Sequence, residues 1–254
     1  MNIRDIQCVP DWAQRNLFRH LRYPWGERRL TALEGSLVAA GLRNLAQAIF
    51  FLLIVRPLIM VVIGLNICGG ERLPLKGPAI IAANHNSHLD ALALLALWPL
   101  SALRRVRPVA AADYFLSNPA LAWFSLNVIR ILPIDRQRND AHGDPLVDMS
   151  AALSRGEILI VFPEGSRGAP EQLGRFKSGI ARLAERHPDV PIVPVFLHGL
   201  GKSLPRGEFL LVPFIADVVV GEALHWRSSV SETMRAYQMA MEDMSRQLAI
   251  PAWE

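Results

Sequence analysis

Short runs of apolar and β-branched residues alternate with segments of helical periodicity from Pro78 to the end of the chain. This alternation predicts an α/β fold with a mixed, largely parallel central sheet flanked by helices. The predicted strands are Ala79–Ala83, Arg107–Ala111, Val128–Ile134, Glu157–Phe162, Ile192–Leu197 and Leu210–Val220, the last with a break near Pro213. The predicted helices are Leu89–Leu97, Pro119–Leu126, Leu146–Ser154, Lys177–His187 and Val230–Leu248.

Residues 48–65 form an apolar segment that is interrupted only by Arg56 and Pro57. A spanning helix needs about 20 apolar residues, and a central arginine costs about 2.5 to 3.5 kcal/mol on insertion scales. We therefore predict a kinked or re-entrant helix in one leaflet of a membrane, with Arg56 reaching the lipid headgroups. The alternative is a buried core helix of a soluble domain.

The N-terminal residues 1–44 combine basic and aromatic side chains, a mixture typical of segments that approach a bilayer surface. These side chains are Arg4, Arg15, Arg19, Arg22, Arg28 and Arg29 together with Trp12, Phe18, Tyr23 and Trp25. We therefore predict a membrane-associating helical region over residues 1–70 and a folded domain over residues 71–254.

The amino-acid composition excludes few classes of protein. The 254 residues are enough for one large core, 51% of them are apolar, and the net charge is +4. The charge suits an anionic partner such as nucleic acid, acidic lipid or a phosphorylated metabolite, but a slightly basic soluble protein also accounts for it. Cys8 and Cys68 are not spaced as a pair, and the N-terminus has no signal-peptide pattern, so we expect a reducing, cytoplasm-facing environment.

Asn84 and His85 follow the first predicted strand, at the end where open α/β sheets have their ligand crevices. Ser87 and Asp90 have the spacing of a helix N-cap, so a helix is predicted to begin there. Two residues five apart on one helix face about 140° apart, so His85 must precede the helix for its imidazole to meet the Asp90 carboxylate. Because a carboxylate that accepts one imidazole N–H leaves the other nitrogen free, this pair predicts a general base acting on a hydroxyl.

Two other interpretations of this segment remain open. In the first, Ser87 and Asp90 only cap a helix, and His85 and His88 are polar loop residues. In the second, His85, His88 and Asp90 bind the metal ion of a hydrolase, although their spacing is not that of a standard helical zinc pair. The sequence contains neither a GxxxxGK[ST] loop nor a GxSxG elbow, so it supports neither ATP hydrolysis nor serine-esterase chemistry.

The His-x4-Asp segment is the first of four ordered segments, which are Asn84–Asp90, Ile134–Arg136, Phe162–Arg167 and Val190–Val195. In this order they resemble the four sequence blocks of the glycerolipid acyltransferases, a family typified by bacterial 1-acylglycerol-3-phosphate acyltransferase. The resemblance extends over roughly residues 70–225. It implies the αβ fold of that family, with an N-terminal membrane-associated helical segment.

The resemblance also implies an activity. It implies the transfer of a fatty acyl group from acyl-CoA or acyl-carrier protein to the free sn-2 hydroxyl of 1-acylglycerol-3-phosphate, giving phosphatidic acid. His85 and Asp90 would be the catalytic pair, residues 71–254 the catalytic domain, and no cofactor, metal or nucleic acid would be needed. The implied location is a membrane surface, on the cytoplasmic face of the inner membrane.

The second and third segments are implied to bind the glycerol phosphate of the acceptor. The residues concerned are Arg136, Glu164, Gly165, Ser166 and Arg167, and Lys177 could add positive charge. An arginine offers a planar fork to phosphate oxygens, and the turn at Gly165 can present backbone N–H groups to an anion. Glu164 would hold one of the arginines or bond a glycerol hydroxyl. The alternative is an ordinary Pro-Glu-Gly-Ser turn.

Pro194, in the fourth segment, is assigned to the wall of the acyl or donor site, although a buried strand interrupted by a proline accounts for it nearly as well. The chain departs from the family pattern at Arg130 and Pro133, where glycine and phenylalanine are common, and at Ser166, where threonine is commoner. The acceptor therefore stays open, with lysophosphatidylethanolamine or a lyso-aminolipid as alternatives. A lipid-binding or scaffold protein without chemistry is a further alternative.

Overall fold

A computed structural model of the protein describes residues 37–135, 144, 146–166, 168, 172–203 and 212–248. The chain divides into two compact units, residues 1–45 and 46–254. The described residues of the first unit, 37–45, are helical. The division into a membrane-associating region of residues 1–70 and a catalytic domain of residues 71–254 stays a prediction.

The apolar segment forms a helix that changes its hydrogen-bonding pattern. Helix α1, Leu37–Phe50, is followed by two stretches of wider, π-type turns, Phe51–Val55 and Pro57–Ile63. The stretches meet at Arg56 and Pro57, the position of the predicted kink, because proline has no N–H to continue the α-helical ladder. By length and composition, residues Gly41–Ile63 could cross a membrane.

This helix has one buried face and one exposed face. The buried side chains recur every four residues and belong to the core: Phe51, Val55, Ile59 and Ile63. The exposed ones are Leu52, Leu53, Ile54, Met60, Val61 and Val62. Nη2 of Arg56 donates a hydrogen bond of 2.7 Å to the carbonyl oxygen of Trp98, so the guanidinium has a partner within the folded chain. The contact of Arg56 with lipid headgroups stays a prediction.

Within the described part of the chain, seven strands form one sheet, in the order β1-β7-β6-β2-β5-β3-β4. The strands are β1 Leu65–Cys68, β2 Ala79–Ala83, β3 Val106–Ala111, β4 Leu132–Ile134, β5 Ile158–Val161, β6 Ile192–His198 and β7 Ala216–Val220. All neighbouring pairs are parallel except β6 and β7. The prediction of a mixed, largely parallel sheet is confirmed.

Helices cover both faces of the sheet. They are α2 Asp90–Ala96, α3 Leu100–Leu103, α4 Ala112–Phe115, α5 Pro119–Phe124, α6 Val147–Ser154, α7 Gly179–Arg186, α8 Leu200–Ser203 and α9 Val230–Gln247. Ile81 and Ala83 of β2 face the core formed with α2, α3 and residues 51–63. Ile80 and Ala82 face the core formed with α6, α7 and α9. Because both faces of β2 are covered, the whole strand is apolar, as expected for a central parallel strand.

Three differences between the structure and the predicted elements concern strands. Residues Ser125–Ile129 continue helix α5 as π-type turns, so the predicted strand Val128–Ile134 is reduced to β4. The predicted strand Leu210–Val220 begins only at Ala216, and its residues 210 and 211 lie outside the described part. Strand β1 was not predicted, because it directly follows the apolar helix. A short apolar run cannot distinguish a buried helix from a strand by periodicity alone.

Candidate active site

His85 and Asp90 meet in the loop between β2 and α2. Nδ1 of His85 lies 2.9 Å from Oδ2 of Asp90. Asp90 is the first residue of α2 and His85 precedes the helix, which is the arrangement that the spacing requires. The His85 side chain is 22% exposed and that of Asp90 is fully buried. The imidazole is therefore open to a substrate on one side and held by a carboxylate on the other.

The same carboxylate oxygen also binds the backbone of the loop that precedes the helix. Oδ2 of Asp90 accepts the backbone N–H groups of Asn86 at 2.7 Å and of Ser87 at 2.8 Å. Oγ of Ser87 accepts the N–H of Leu89 at 3.2 Å in return. Capping and contact with His85 were posed as alternatives, and the structure has the contact with His85, because the N-cap residue of α2 is Leu89 and makes no side-chain cap hydrogen bond. Its three donors fix the carboxylate in place, and through it the plane of the imidazole.

The loop after β5 surrounds His85 on the side away from Asp90. The ring of Phe162 stacks on the imidazole, with centroids 4.1 Å apart and planes inclined by 20°. Oε1 of Glu164 accepts the backbone N–H of His85 at 3.2 Å. The N–H of Gly168 donates to the carbonyl oxygen of His85 at 2.9 Å. The first and third sequence segments therefore form one unit around the imidazole.

The Glu164 carboxyl has an altered affinity for its proton. Burial raises its pKa above the ordinary value, and the nearby charge of Asp90 acts in the same direction. The backbone groups of His85 and Gly174 and the charge of the His85 imidazole oppose this shift. The net direction is upward, because a buried carboxylate loses more solvation than these partners return.

A cleft of about 630 Å³ opens beside this unit. Its lining residues are Glu164, Ser166, Gly168, Gly174, Arg175, Phe176, Lys177 and Ser178. Gly165 has a φ of 72°, and a Cβ added there would lie 2.6 Å from Nζ of Lys177. The Lys177 ammonium therefore lies against the Gly165 backbone, and Ser166 lines the same cleft. Together with Arg175 it gives the cleft two cationic groups, which suit an anion.

The remaining predicted site residues are Arg136, Arg167 and Pro194. Arg136 and Arg167 lie outside the described residues. Pro194 is buried within β6, opposite Ala82 of β2, and its Cγ faces Gly221, where an added Cβ would be only 2.9 Å away. Its assignment to the acyl or donor site stays a prediction.

Several residues around the site were not singled out from the sequence as functional. These are Phe162, Gly168, Gly174, Arg175 and Ser178. Arg175 and Ser178 flank Lys177, and this cluster of polar residues before a helix was the available signal. The roles of Phe162 and the two glycines depend on contacts with His85 and Glu164, which no local pattern reveals.

In the described residues, no group of three or more His, Cys, Asp or Glu side chains is arranged to hold a metal ion. His88 is exposed, and the described contacts of the Asp90 carboxylate are with His85, Asn86 and Ser87. In the described structure, His85, His88 and Asp90 therefore do not form the group of metal ligands that the hydrolase interpretation requires.

A largely parallel sheet flanked by helices, with a His/Asp pair at its carboxyl edge, is the arrangement that the resemblance to the glycerolipid acyltransferases implies. The sequence profile of the Acyltransferase family matches residues 64–198. The chain therefore belongs to the Acyltransferase family.

Comparisons with individual proteins agree with this assignment. A chloroplastic 1-acyl-sn-glycerol-3-phosphate acyltransferase of Arabidopsis thaliana is 29% identical over 182 residues, 67% of this chain and 49% of the relative. A 1-acyl-sn-glycerol-3-phosphate acyltransferase of Pseudomonas aeruginosa is 28% identical over 159 residues, 62% of this chain and 58% of the relative. The chain thus spans about half the length of these curated relatives.

The crystal structure of the 1-acyl-sn-glycerophosphate acyltransferase from Thermotoga maritima resembles this structure with a TM-score of 0.64 and 20% identity. The similarity covers 96% of this chain and 90% of that chain. At this level of identity the comparison concerns the fold.

Proposed function

We propose that the protein transfers a fatty acyl group from acyl-CoA or acyl-carrier protein to the sn-2 hydroxyl of 1-acylglycerol-3-phosphate, giving phosphatidic acid. The observation that carries this proposal is the 2.9 Å contact between His85 and the buried Asp90, beside a cleft with cationic side chains. The similarity to 1-acyl-sn-glycerol-3-phosphate acyltransferases supports this choice of acceptor.

The proposed mechanism uses His85 as a general base. The Nδ1–H of His85 donates to Asp90, which leaves Nε2 free to remove the proton from the acceptor hydroxyl. The hydroxyl oxygen attacks the thioester carbonyl, and the tetrahedral intermediate collapses with departure of the thiolate. The thiolate then takes the proton from the imidazolium, so that the products are the ester and a thiol. Asp90 stabilises the imidazolium in between.

The cleft is proposed to bind the phosphate of the acceptor. Lys177 supplies a positive charge, and Ser166 and the turn at Gly165 supply hydrogen-bond donors. Arg136 and Arg167 are proposed to complete the phosphate site. A lysophosphatidylethanolamine or lyso-aminolipid acceptor is the alternative, and it would carry a different group into the same cleft.

The decisive experiment measures acyl transfer by the purified full chain in detergent, with both donors and a panel of lysolipids. We expect the highest kcat/KM with 1-acylglycerol-3-phosphate and a loss of at least about 10²-fold in His85→Ala. His88→Ala is the matched control, because His88 is an exposed neighbour on the same loop. Full activity in His85→Ala would refute the proposal. Equal losses in both variants, together with inhibition by a chelator, would favour the metal-dependent hydrolase.

We also propose that the protein associates with a membrane through the exposed face of the helix over residues 51–63. The apolar surface extends to Ile215, which is 68% exposed. Ile215 lies beside Gly64, the residue that follows this helix, because it is the described side chain nearest to the position that a Cβ would take at Gly64. A location at the cytoplasmic face of the inner membrane stays a prediction.

Sedimentation with vesicles of phosphatidylethanolamine and phosphatidylglycerol tests the membrane proposal. Val61→Asp should lower the bound fraction, since Val61 is 81% exposed on the apolar face. Val147→Asp is the control, because Val147 is an exposed valine on α6, a helix packed on the opposite face of the sheet. Equal binding by the two variants would contradict the proposed surface.

A further inference from the structure

We propose that Glu164 is a positioning residue that holds the main chain of His85, and not a ligand of the acceptor. This inference rests on the proposed acyltransferase function and assigns Glu164 a different role from the one implied by the family resemblance. It is carried by the geometry of the loop after β5.

Glu164 and His85 belong to different strand ends and are joined by one hydrogen bond. Oε1 of Glu164 accepts the N–H of His85 at 3.2 Å, across 79 residues of sequence. Glu164 is 7% exposed, and its Oε2 has essentially no solvent-accessible surface. Glu164 thus lines the cleft and directs one carboxylate oxygen towards the backbone of the proposed base.

The other backbone group of His85 is held by the same loop. Its carbonyl oxygen accepts the N–H of Gly168 at 2.9 Å. The preceding residue, Asn84, is locked to β6 by two hydrogen bonds with the backbone of Leu197, of 2.7 and 2.8 Å. These contacts leave the His85 backbone little freedom to rotate, so the imidazole keeps one orientation relative to the cleft.

Two glycines allow the carboxylate to sit where it does. A Cβ on Gly168 would lie 3.0 Å from Oε2 of Glu164, and one on Gly174 would lie 2.9 Å from the same oxygen. A Cβ at either position would therefore require the Glu164 carboxylate to shift. A carboxylate enclosed in this way has little exposed surface with which to contact an acceptor. It is held in a fixed position, from which it can bind the backbone of another residue.

The two roles predict different kinetics. A ligand of the acceptor contributes to binding, and its loss raises KM. An anchor of the base contributes only when the proton is transferred, and its loss lowers kcat with little change in KM. A displacement of about 1 Å in a reacting group costs on the order of 10²-fold in rate.

The experiment compares Glu164→Gln, Glu164→Asp and Glu164→Ala, with Glu185→Gln on the exposed side of α7 as the matched control. Gln keeps the length and an acceptor oxygen, whereas Asp keeps the charge and loses the reach. We expect kcat to fall about 10- to 100-fold in Glu164→Ala and Glu164→Asp, while KM for the acceptor stays within about threefold of the wild type. In Glu164→Gln we expect a kcat at least about tenfold higher than in Glu164→Ala. A rise in KM with unchanged kcat would overturn the proposal, and so would better recovery by Asp than by Gln.

A spectroscopic measurement separates this proposal from the function on which it rests. In protein labelled with ¹⁵N-histidine, the His85 ring signals are assigned by their absence in His85→Ala. We expect Glu164→Ala to shift or broaden the Nδ1–H signal of His85, and Glu164→Gln and Glu185→Gln to leave it close to that of the wild type. An unchanged signal in Glu164→Ala would overturn the positioning role, whether or not the wild type transfers acyl groups. A wild type that acylates no lysolipid would overturn the proposed function alone.

Discussion

The guanidinium of Arg107 donates a hydrogen bond of 2.7 Å from Nε to the carbonyl oxygen of Arg130. Arg130 has a φ of 63°, in the left-handed region, and ends the helical turns Ser125–Ile129 before β4 begins. Arg107 also contacts Glu157 at 3.3 Å, so a partly buried ion pair holds this turn against the residue that precedes β5. The family pattern often has glycine at this position, and the positive φ gives the physical reason for that preference.

The conformation of Arg130 predicts an effect on stability. A residue with a Cβ in the left-handed region costs about 1 kcal/mol more than glycine. Arg130→Gly and Arg130→Ala remove the same side chain and differ only in the Cβ. We therefore expect Arg130→Gly to have a free energy of unfolding about 1 kcal/mol higher than Arg130→Ala, measured by urea denaturation. Equal free energies of unfolding for the two variants would contradict this prediction, and would mean that the backbone of the turn adjusts to the Cβ without cost.

The contact between Asp90 and His85 predicts that replacing the Asp90 carboxylate by an amide lowers the rate of acyl transfer. In Asp90→Asn the charge that stabilises the imidazolium is lost, and the amide can present an N–H where an acceptor is needed. We expect kcat to fall about 10²- to 10⁴-fold. The control is Asp189→Asn, which changes an exposed aspartate. A folded Asp90→Asn protein with wild-type kcat would exclude the pair as the base.

Gly174 predicts that a single methyl group will disturb the His85 anchor. An alanine there would force Oε2 of Glu164 to move, and the hydrogen bond from His85 to the same carboxylate would weaken. We expect Gly174→Ala to lower kcat about tenfold or more. Gly179→Ala is the control, since a Cβ at Gly179 has no neighbour within 4 Å. Similar kcat values in the two variants would contradict the enclosure of Glu164.

The raised pKa of Glu164 predicts a pH dependence of stability. The unfolded chain releases this proton near the ordinary pKa of 4.5, and the folded chain releases it at a higher pH. The contribution to stability is therefore fully present below pH 4.5 and is lost as the pH rises through the folded pKa. Glu164→Gln does not titrate, so its stability relative to the wild type should rise over that interval and level off above it.

Urea unfolding of both proteins between about pH 4 and pH 8 measures this difference. Glu185→Gln should show no such trend, because Glu185 is exposed. A relative stability of Glu164→Gln that falls with rising pH would mean that the folded pKa is lowered instead.

Local patterns in the sequence determined the elements and the central pair. Strand β2 coincides with its predicted limits, because an apolar run after Pro78 is typical of a central parallel strand. The spacing of His85 and Asp90 indicated that the two side chains can meet at a strand-to-helix turn if His85 precedes the helix, and the structure has this contact. The strand predicted over Val128–Ile134 was mostly wrong, because apolar periodicity does not separate buried helix from strand.

Only the tertiary structure decided what surrounds these elements. Arg56 finds its partner at Trp98, 42 residues away, and Glu164 finds the His85 backbone across 79 residues. The enclosure of the Glu164 carboxylate by Gly168 and Gly174 also depends on how the loop folds back on itself. The spacing of residues along the chain determines the contacts between residues a few positions apart, because the short backbone segment between them can adopt few conformations. Contacts between distant segments are set by the packing of the sheet and its helices, which brings separate loops to one edge.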